Sequence, residues 1–166
     1  MTEKVCLLTG ATSGIGQAAA IDLAGKGYEL YLTARSEAKA AATTRRILNA
    51  VPGARISWLY GDLARLDDVR AMAKEFLDTG RKINLLFLNA GVCNNKRILT
   101  EDGHEMMFAV NHLAPFLLTN LLMDRLCEGK HNLRVVVTAS GAYSFVKLLN
   151  LEDPTYEQEF KFYTAY

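Results

Sequence analysis

Three glycines lie close together in the segment Thr9–Gly16, between a short apolar run and a stretch of helical periodicity. Glycine allows the backbone to turn tightly and to approach a pyrophosphate closely, and the N-terminus of a helix offers free N–H groups and a partial positive charge. A glycine-rich turn can also be purely structural, but its placement between a strand and a helix favours phosphate binding. We therefore expect dinucleotide contacts from Gly10, Thr12, Ser13, Gly14, Ile15 and Gly16.

An arginine follows the second apolar run, in the tripeptide Ala34-Arg35-Ser36. In dinucleotide-binding folds an acidic residue near this point binds the ribose 2′-hydroxyl of NAD, and no acid is present here. The guanidinium of Arg35 can instead form two parallel hydrogen bonds with a 2′-phosphate. The alternative is a solvated arginine near the start of a helix. The residue types predict a cofactor of the NADP(H) type, with NAD(H) less favoured.

Polar or small side chains also follow the third, fourth and fifth apolar runs. Asp62-Leu63 ends the third run, Asn89-Ala90-Gly91 ends the fourth, and Ser140 lies just beyond the fifth. Ligands of open α/β sheets bind outside the carboxyl ends of the strands, so we expect these residues to share a cleft with the glycine loop. Each has a structural alternative, Asp62 as a cap of the next helix and the others as ordinary strand-end turns. Thr138 and Ser144 are less well placed than Ser140.

Asn111 lies inside a helical segment, in the sequence Phe108–Leu113. Asparagine is a mediocre helix former, because its side chain competes for backbone hydrogen bonds. Pro115, four residues later, also perturbs a helix and offers a structural explanation for an irregularity there. We interpret Asn111 as a functional residue, with the structural explanation as the alternative.

Short apolar runs alternate with longer segments of helical periodicity along the chain. The predicted strands are Val5–Leu8, Glu29–Thr33, Arg55–Tyr60, Asn84–Leu88 and Arg134–Thr138. The predicted helices are Gly16–Lys26, Glu37–Ala50, Leu66–Thr79 and Gly103–Cys127. The fourth and fifth strands are apolar at successive positions, as in parallel sheets that helices cover on both faces. This alternation predicts a doubly wound parallel α/β sheet, the Rossmann fold, in a single domain over residues 1–166.

Composition disfavours several other classes of protein. The 166 residues carry a formal net charge of +1, so there is no electrostatic reason to expect nucleic acid or an anionic membrane as a partner. No apolar stretch of the sequence is long enough to cross a bilayer. The three cysteines, Cys6, Cys93 and Cys127, are widely spaced and odd in number, which suggests reduced thiols in a cytoplasmic setting. The three histidines share no metal-ligand spacing, and no metal site is predicted.

Together these motifs resemble the short-chain dehydrogenase/reductase family. The spacing Thr-Gly-x-x-x-Gly-x-Gly is the signature of this family outside its sugar-epimerising subgroup, and Asn-Ala-Gly at 89–91 is a further family motif. Asn111-His112-Leu113 and Phe116–Asn120 are similar to the branch that contains retinol dehydrogenases and protochlorophyllide reductases. The resemblance implies hydride transfer between NADP(H) and an alcohol or carbonyl. We expect a sheet of strand order 3-2-1-4-5, with the cofactor crossing its carboxyl edge.

The resemblance also implies roles for single residues. Asp62 corresponds to the residue that meets the adenine ring, and Asn89 ties strand ends together beside the cofactor. Asn111 corresponds to the asparagine that kinks its helix and holds a water of a proton relay. Ser140 matches the serine that binds the substrate oxygen. Tyr166 best matches the tyrosine of the catalytic Tyr-x-x-x-Lys motif.

The assignment of the tyrosine has competitors. Tyr163 and Tyr156 lie nearby, and neither is followed by a lysine four residues later. Tyr166 is the last residue of the sequence, which therefore contains no lysine partner for it. We expect the domain to be incomplete at its C-terminus, with further strands in a longer working protein, and the chain alone to be inactive.

Other functions stay open at this point. A non-catalytic dinucleotide-binding or scaffold protein with a degenerate active site would bind nucleotide without turnover. A related epimerase or dehydratase is disfavoured by the glycine spacing. The expected substrate is a small or lipophilic alcohol or carbonyl compound whose identity these residues do not specify, and a homodimer is compatible with the resemblance.

Overall fold

A five-stranded parallel sheet forms the centre of the protein. The computed structural model describes residues 4–128, 133–145, 151–153, 155–158 and 160. The strands are β1 (Lys4–Leu8), β2 (Tyr28–Ala34), β3 (Ile56–Tyr60), β4 (Leu85–Leu88) and β5 (Arg134–Val137). They lie in the order β3-β2-β1-β4-β5 and each neighbouring pair is parallel, which confirms the predicted doubly wound topology.

Helices connect the strands. The first three are α1 (Gly14–Gly25), α2 (Glu37–Ala50) and α3 (Leu66–Asp78), close to their predicted bounds. The segment between β4 and β5 contains α4 (Met106–Phe108), a π-helical stretch (Ala109–Leu113), α5 (Ala114–Leu121) and α6 (Met123–Cys127). A short 3-10 helix at Gly141–Phe145 follows β5. Within the part of the chain that the structure describes, no helix combines the length and the apolarity that a bilayer span requires.

Alternate residues of β1 point into two separate cores. Val5 and Leu7 pack with residues of α3 and α5, whereas Cys6 and Leu8 pack with residues of α1 and α2. A strand whose side chains are buried on both faces cannot alternate between apolar and polar residues. The central position of β1 therefore explains why its sequence is apolar at successive positions.

The fifth strand lies at an edge of the sheet, and its valines are exposed. Val135, Val136 and Val137 are 45%, 40% and 57% exposed, whereas Leu86 of the neighbouring strand is fully buried. Among the described residues, β5 pairs with β4 on one side and no strand pairs with its other edge. The apolar pattern predicted the strand, whereas its burial depends on which elements lie beside it.

The predicted helix Gly103–Cys127 is not continuous. Gly103 has a φ of +80°, which lies outside the helical region, and the first helical residue is Met106. Glu105 caps this start, since its carboxylate accepts the N–H of Phe108 at 2.8 Å. A second interruption separates α5 from α6. Periodicity does not reveal such interruptions, because the apolar face continues across them.

A π-helical stretch surrounds Asn111. The N–H of Ala114 donates to the carbonyl of Ala109, five residues earlier, where an α-helix would use the fourth. Pro115 follows directly, and proline cannot donate the hydrogen bond that the Asn111 carbonyl would accept in a regular α-helix. Single π turns occur frequently at functional sites. The helix is therefore irregular at Asn111, and Pro115 contributes to the irregularity.

Candidate functional site

A cleft of about 730 Å³ opens at the carboxyl edge of the sheet. Its lining includes every predicted cofactor-binding residue and, of the predicted catalytic residues, Asn111 and Ser140. Because the strands lie in the order β3-β2-β1-β4-β5, Arg35 and Asp62 flank the glycine loop on one side, and Asn89 and Ser140 flank it on the other. The structure thus brings together residues that are far apart along the chain.

The tyrosines near the end of the chain are only partly described. Tyr166, the predicted catalytic tyrosine, lies outside the described residues, as does Tyr163. Tyr156 has a φ of 53° in a turn, where its N–H donates to the carbonyl of Asp153 at 3.2 Å. It does not line the cleft. The assignment of Tyr166 therefore stays a prediction, and Tyr156 is not among the residues that line the cleft.

The glycine loop is packed too closely for side chains at two of its glycines. Gly10 has a φ of +72°, and a Cβ there would lie 2.8 Å from the Cα of Ala90. A Cβ on Gly16 would overlap the carbonyl oxygen of Gly10 and would lie 2.5 Å from Nδ2 of Asn89. Only glycine allows this approach. The loop, the first turn of α1 and the end of β4 form one closely packed unit.

The first turn of α1 forms part of the lining of the cleft. Ser13 precedes the helix in an extended conformation, and its hydroxyl makes no capping hydrogen bond. The N–H groups of residues 14–16 have no acceptor within the helix, because intrahelical bonding begins with the Gln17 N–H and the Ser13 carbonyl. The turn carries no acidic side chain. An anion in the cleft would therefore meet free donors and the positive end of the helix dipole.

Arg35 and Asp62 face each other beside the glycine loop. Nη1 of Arg35 lies 3.5 Å from Oδ2 of Asp62. The other oxygen of Asp62 accepts the N–H of Ala64 at 2.9 Å, and the N–H of Asp62 donates to the Asp68 carboxylate at 2.8 Å. Asp62 therefore shapes the turn before α3 while one of its oxygens faces the arginine.

The side chain of Asn89 joins the ends of three strands. Its Nδ2 donates to the carbonyls of Thr9 and Gly10 at 3.3 and 3.4 Å, and its Oδ1 accepts the hydroxyl of Thr138 at 3.0 Å. The hydroxyl of Thr9 in turn accepts the N–H groups of Asn89 and Ala90 at 3.0 and 3.1 Å. Side-chain hydrogen bonds thus link the carboxyl ends of β1, β4 and β5.

Two residues of this network were not among the predicted site residues. Thr9 is polar and only 3% exposed, and its place at the head of the glycine motif was a signal for it. Thr138 lines the cleft, although the sequence favoured Ser140 over it. Its partner Asn89 is 49 residues away along the chain, and no local pattern reveals such a pairing.

The side chain of Asn111 links the π-helical stretch to the segment after β4 by hydrogen bonds. The N–H of Val92 donates to its Oδ1 at 2.8 Å, and its Nδ2 donates to the Val92 carbonyl at 2.9 Å. Both the oxygen and the nitrogen of the carboxamide therefore form hydrogen bonds with the main chain of Val92. In an α-helix the main-chain carbonyl of Asn111 would accept the N–H of residue 115, but Pro115 has no N–H.

Ser140 lies in the exposed turn between β5 and the 3-10 helix. Its Oγ accepts the N–H of Ala142 at 3.1 Å. A hydroxyl donates one hydrogen bond in addition to those it accepts, so the proton of Ser140 stays available for a ligand. The hydroxyl of Ser144 donates instead to the carbonyl of Gly141 at 2.8 Å, and Ser144 does not line the cleft.

The three cysteines differ in exposure. Cys6 is buried in β1, and burial raises the pKa of its thiol to about 12, so the thiol stays protonated at neutral pH. Cys93 and Cys127 are exposed free thiols, and Cys93 lines the cleft. Among the described residues, no cluster of histidine, cysteine and carboxylate side chains is suited to hold a metal ion.

Known proteins are similar to this chain in sequence and in architecture. Retinol dehydrogenase 14 of Mus musculus is 38% identical over 170 residues, which cover 96% of this chain and 50% of that protein. A solved structure of an uncharacterized protein from Mycobacterium Paratuberculosis matches with a TM-score of 0.80 at 31% identity, and covers 98% of this chain and 56% of that one. A short-chain dehydrogenase from Sphingobium yanoikuyae, solved in complex with NADPH, matches with a TM-score of 0.71 at 28% identity, with coverages of 84% and 54%. This chain therefore spans about half the length of these relatives.

The family model described as short chain dehydrogenase matches residues 4–149. The matched region contains the glycine loop, the Asn-Ala-Gly motif, Asn111 and Ser140. It also contains all five strands of the sheet and the whole lining of the cleft. The chain therefore belongs to the short-chain dehydrogenase family.

Proposed function

We propose that this chain binds NADP(H) and forms the nucleotide-binding part of an oxidoreductase that interconverts an alcohol and a carbonyl. The observation that carries this proposal is the composition of the cleft, where the glycine loop, the start of α1, Arg35 and Ser140 lie along one edge of the sheet. Ligands of doubly wound sheets bind at this edge. The bound cofactor would supply or accept the hydride, while the protein supplies binding, orientation and electrostatics.

The residues present fit a dinucleotide. The close packing of Gly10 and Gly16 keeps side chains out of the loop, so that backbone N–H groups can approach a pyrophosphate. The volume of about 730 Å³ lies within the usual range of ligand pockets. We propose that Asp62 and Leu63 contact the adenine, and that Asn89, Ala90 and Gly91 lie beside the nicotinamide half.

Arg35 supports a preference for NADP(H) over NAD(H). Solved relatives include complexes with NADPH and with NAD, so the likeness to the family leaves this choice to the residues of the chain. The Arg35 side chain is 65% exposed beside the cleft, where its guanidinium can reach a 2′-phosphate. A guanidinium forms stronger hydrogen bonds with a phosphate than with a neutral hydroxyl.

Three residues are proposed to act at the reacting centre. Ser140, whose hydroxyl proton is available, donates to the substrate oxygen and orients it. Tyr166 exchanges a proton with that oxygen as general acid or general base. The main-chain carbonyl of Asn111 holds a water of the proton relay, while its side chain keeps the segment after β4 in place.

We further propose that the substrate is a lipophilic alcohol or carbonyl compound. The relatives include Retinol dehydrogenase 14 and Polyprenol dehydrogenase, whose names refer to apolar alcohols. Val110, Pro115 and Val137 line the cleft together with Ser140 and would contact an apolar group. Comparison of retinal with a small water-soluble ketone as the substrate tests this preference, and faster reduction of the ketone would contradict it.

Cytoplasmic location and homodimer formation are also proposals. The exposed free thiols of Cys93 and Cys127 suit a reducing compartment. Cell fractionation tests the first proposal, and recovery in an organelle would contradict it. An organelle is a real alternative, because one relative is named as chloroplastic. Sedimentation analysis of the whole protein tests the second.

Binding and turnover of the whole protein together test the proposed function. NADPH should bind in a calorimetric titration, and NADPH absorbance should fall when an aldehyde such as retinal is added. Ser140→Ala and Tyr166→Phe should each lower turnover by roughly a hundredfold or more while leaving the affinity for NADPH near that of the wild type. Binding of NADPH without turnover of any alcohol or carbonyl would favour a non-catalytic dinucleotide-binding protein. Full turnover of Tyr166→Phe would remove Tyr166 from the mechanism.

A further inference from the structure

The carboxamide of Asn89 lies between the glycine loop, the start of α1 and the end of β5. Its Nδ2 donates to the carbonyls of Thr9 and Gly10, and a Cβ on Gly16 would lie 2.5 Å from the same nitrogen. Its Oδ1 accepts the hydroxyl of Thr138 at 3.0 Å. One side chain thus contacts the proposed phosphate-binding elements on one side and β5 on the other.

The direction of this link follows from the chemistry of its partners. Main-chain carbonyls accept hydrogen bonds and cannot donate them, so the amide nitrogen of Asn89 must face the glycine loop. The amide oxygen then faces β5, and the Thr138 hydroxyl must be the donor. Valine at position 138 would keep the shape of threonine without this donor, whereas serine would keep the donor.

β5 ends at Val137, and Thr138 is the first residue of the turn that contains Ser140. The N–H of Thr138 donates to the carbonyl of Leu88 at 3.0 Å, and Ser140 follows two residues later. The bond from Thr138 to Asn89 links the turn to the glycine loop through side chains.

We propose that Thr138 is a positioning residue that couples occupancy of the glycine loop to the placement of Ser140, through Asn89. The inference rests on the proposed function, since it assigns the loop to a nucleotide phosphate and Ser140 to the substrate oxygen. A phosphate that orders the loop also orders the carbonyl of Gly10, which holds the Asn89 amide. The amide oxygen then holds Thr138, and the turn with Ser140 is ordered before substrate arrives.

Hydrogen–deuterium exchange of the ligand-free protein tests the link. Thr138→Val should speed exchange of the main-chain N–H groups of residues 138–142 by roughly two- to tenfold. This range corresponds to the usual net free energy of one hydrogen bond. Thr138→Ser should leave this exchange near that of the wild type, because the hydroxyl is kept. Equal exchange in Thr138→Val and the wild type would overturn the inference.

Adenosine 2′,5′-bisphosphate is a suitable probe of the coupling, since it lacks the nicotinamide half that would lie near Ser140. At saturation it should slow exchange at residues 138–142 in the wild type and in Thr138→Ser, but not in Thr138→Val. Binding of the probe without slower exchange in the wild type would refute the coupling and leave the proposed function standing. Failure of the probe to bind would count against the proposed function, and the ligand-free comparison would still decide the positioning role.

Kinetics of the whole protein provide a third readout. Thr138→Val should lower kcat by roughly two- to tenfold while the KM for NADPH stays near that of the wild type, and Thr138→Ser should restore kcat. A matching loss in Thr138→Ser, or a rise in the KM for NADPH with an unchanged kcat, would contradict a role in placing Ser140.

Discussion

Arg35 and Asp62 form an ion pair beside the glycine loop, with Nη1 of the arginine 3.5 Å from Oδ2 of the aspartate. The arginine that is expected to bind a 2′-phosphate therefore already faces a carboxylate. Their side chains are 65% and 34% exposed, so solvent screens the pair and its contribution to stability is small. A phosphate monoester carries nearly two negative charges and several acceptor oxygens, so it competes effectively with this single carboxylate contact.

Removal of Arg35 should weaken NADPH binding selectively. A charge-assisted hydrogen bond contributes about 1.5–3 kcal/mol, so Arg35→Ala should lower the affinity for NADPH by roughly ten- to a hundredfold. The affinity for NADH should change little, because NADH has no 2′-phosphate. Calorimetric titration with both nucleotides measures the ratio, and Arg45→Ala, an exposed arginine of α2, is the matched control. An unchanged ratio in Arg35→Ala would contradict the assignment.

Neutralisation of Asp62 should have the opposite effect on cofactor preference. Asp62→Asn keeps an oxygen for the N–H of Ala64 but removes the negative charge that faces Arg35. The ratio of NADPH to NADH affinity should therefore rise severalfold at low salt. The rise should shrink at high salt, because mobile ions screen exposed charges. A ratio that falls, or one that does not depend on salt, would show that Asp62 does not compete for Arg35.

A side chain at Gly16 should disrupt the glycine loop. The Cβ of Gly16→Ala would overlap the carbonyl oxygen of Gly10, so the loop or the start of α1 must move. We expect loss of detectable NADPH binding, together with a lower free energy of unfolding in urea. Gly25→Ala, at the other end of α1, is the control, because its Cβ would meet only Val51 at 3.9 Å. The control should bind NADPH normally, and equal binding by Gly16→Ala would contradict the packing described.

Burial of Cys6 should make the protein lose stability at alkaline pH. The thiol ionises near pH 9.0 in the unfolded chain, whereas burial raises its pKa in the native state to about 12. Between these values the unfolded state has lost a proton that the native state retains, so the free energy of unfolding falls as the pH rises. The expected slope from this residue is about 1.4 kcal/mol per pH unit within that window, and no contribution is expected below it.

Urea unfolding of the wild type and of Cys6→Ala, at pH values on both sides of 9.0, measures this slope. The smaller side chain of the variant should lower stability by an amount that does not depend on pH. The difference between the two proteins should therefore narrow as the pH rises above 9.0. Parallel curves would show that Cys6 does not contribute to the pH dependence.

The architecture and the place of the cleft could be predicted from the sequence, because both depend on local patterns. Apolar runs and helical periodicity identified the elements, and right-handed crossovers left few arrangements of a parallel sheet. Glycines between β1 and α1 and polar residues after later strands then placed a cleft at the carboxyl edge. The structure shows this strand order, and its cleft is lined by the predicted residues from Gly10 to Ser140.

The tertiary structure alone decided which partner each polar side chain takes. Asp62 faces Arg35, Thr138 donates to Asn89, and Asn111 binds the backbone of Val92, over separations of 27, 49 and 19 residues. Such pairs depend on where two strands or loops end relative to each other in space. The residue types near each partner carry no information about that distance.

The burial of β5 and the continuity of the helix before it were also decided only by the tertiary structure. The valines of β5 have the same apolar pattern as the buried leucines of β4, yet they are exposed, because no other strand among the described residues pairs with the outer edge of β5. The single helix expected before β5 starts only at Met106 and is interrupted between α5 and α6. It also contains a π-helical stretch at Asn111, where Pro115 withholds one backbone donor. A sequence determines which residues are apolar and which backbone groups can bond. Their burial and their hydrogen-bond partners depend on the elements that the fold places around them.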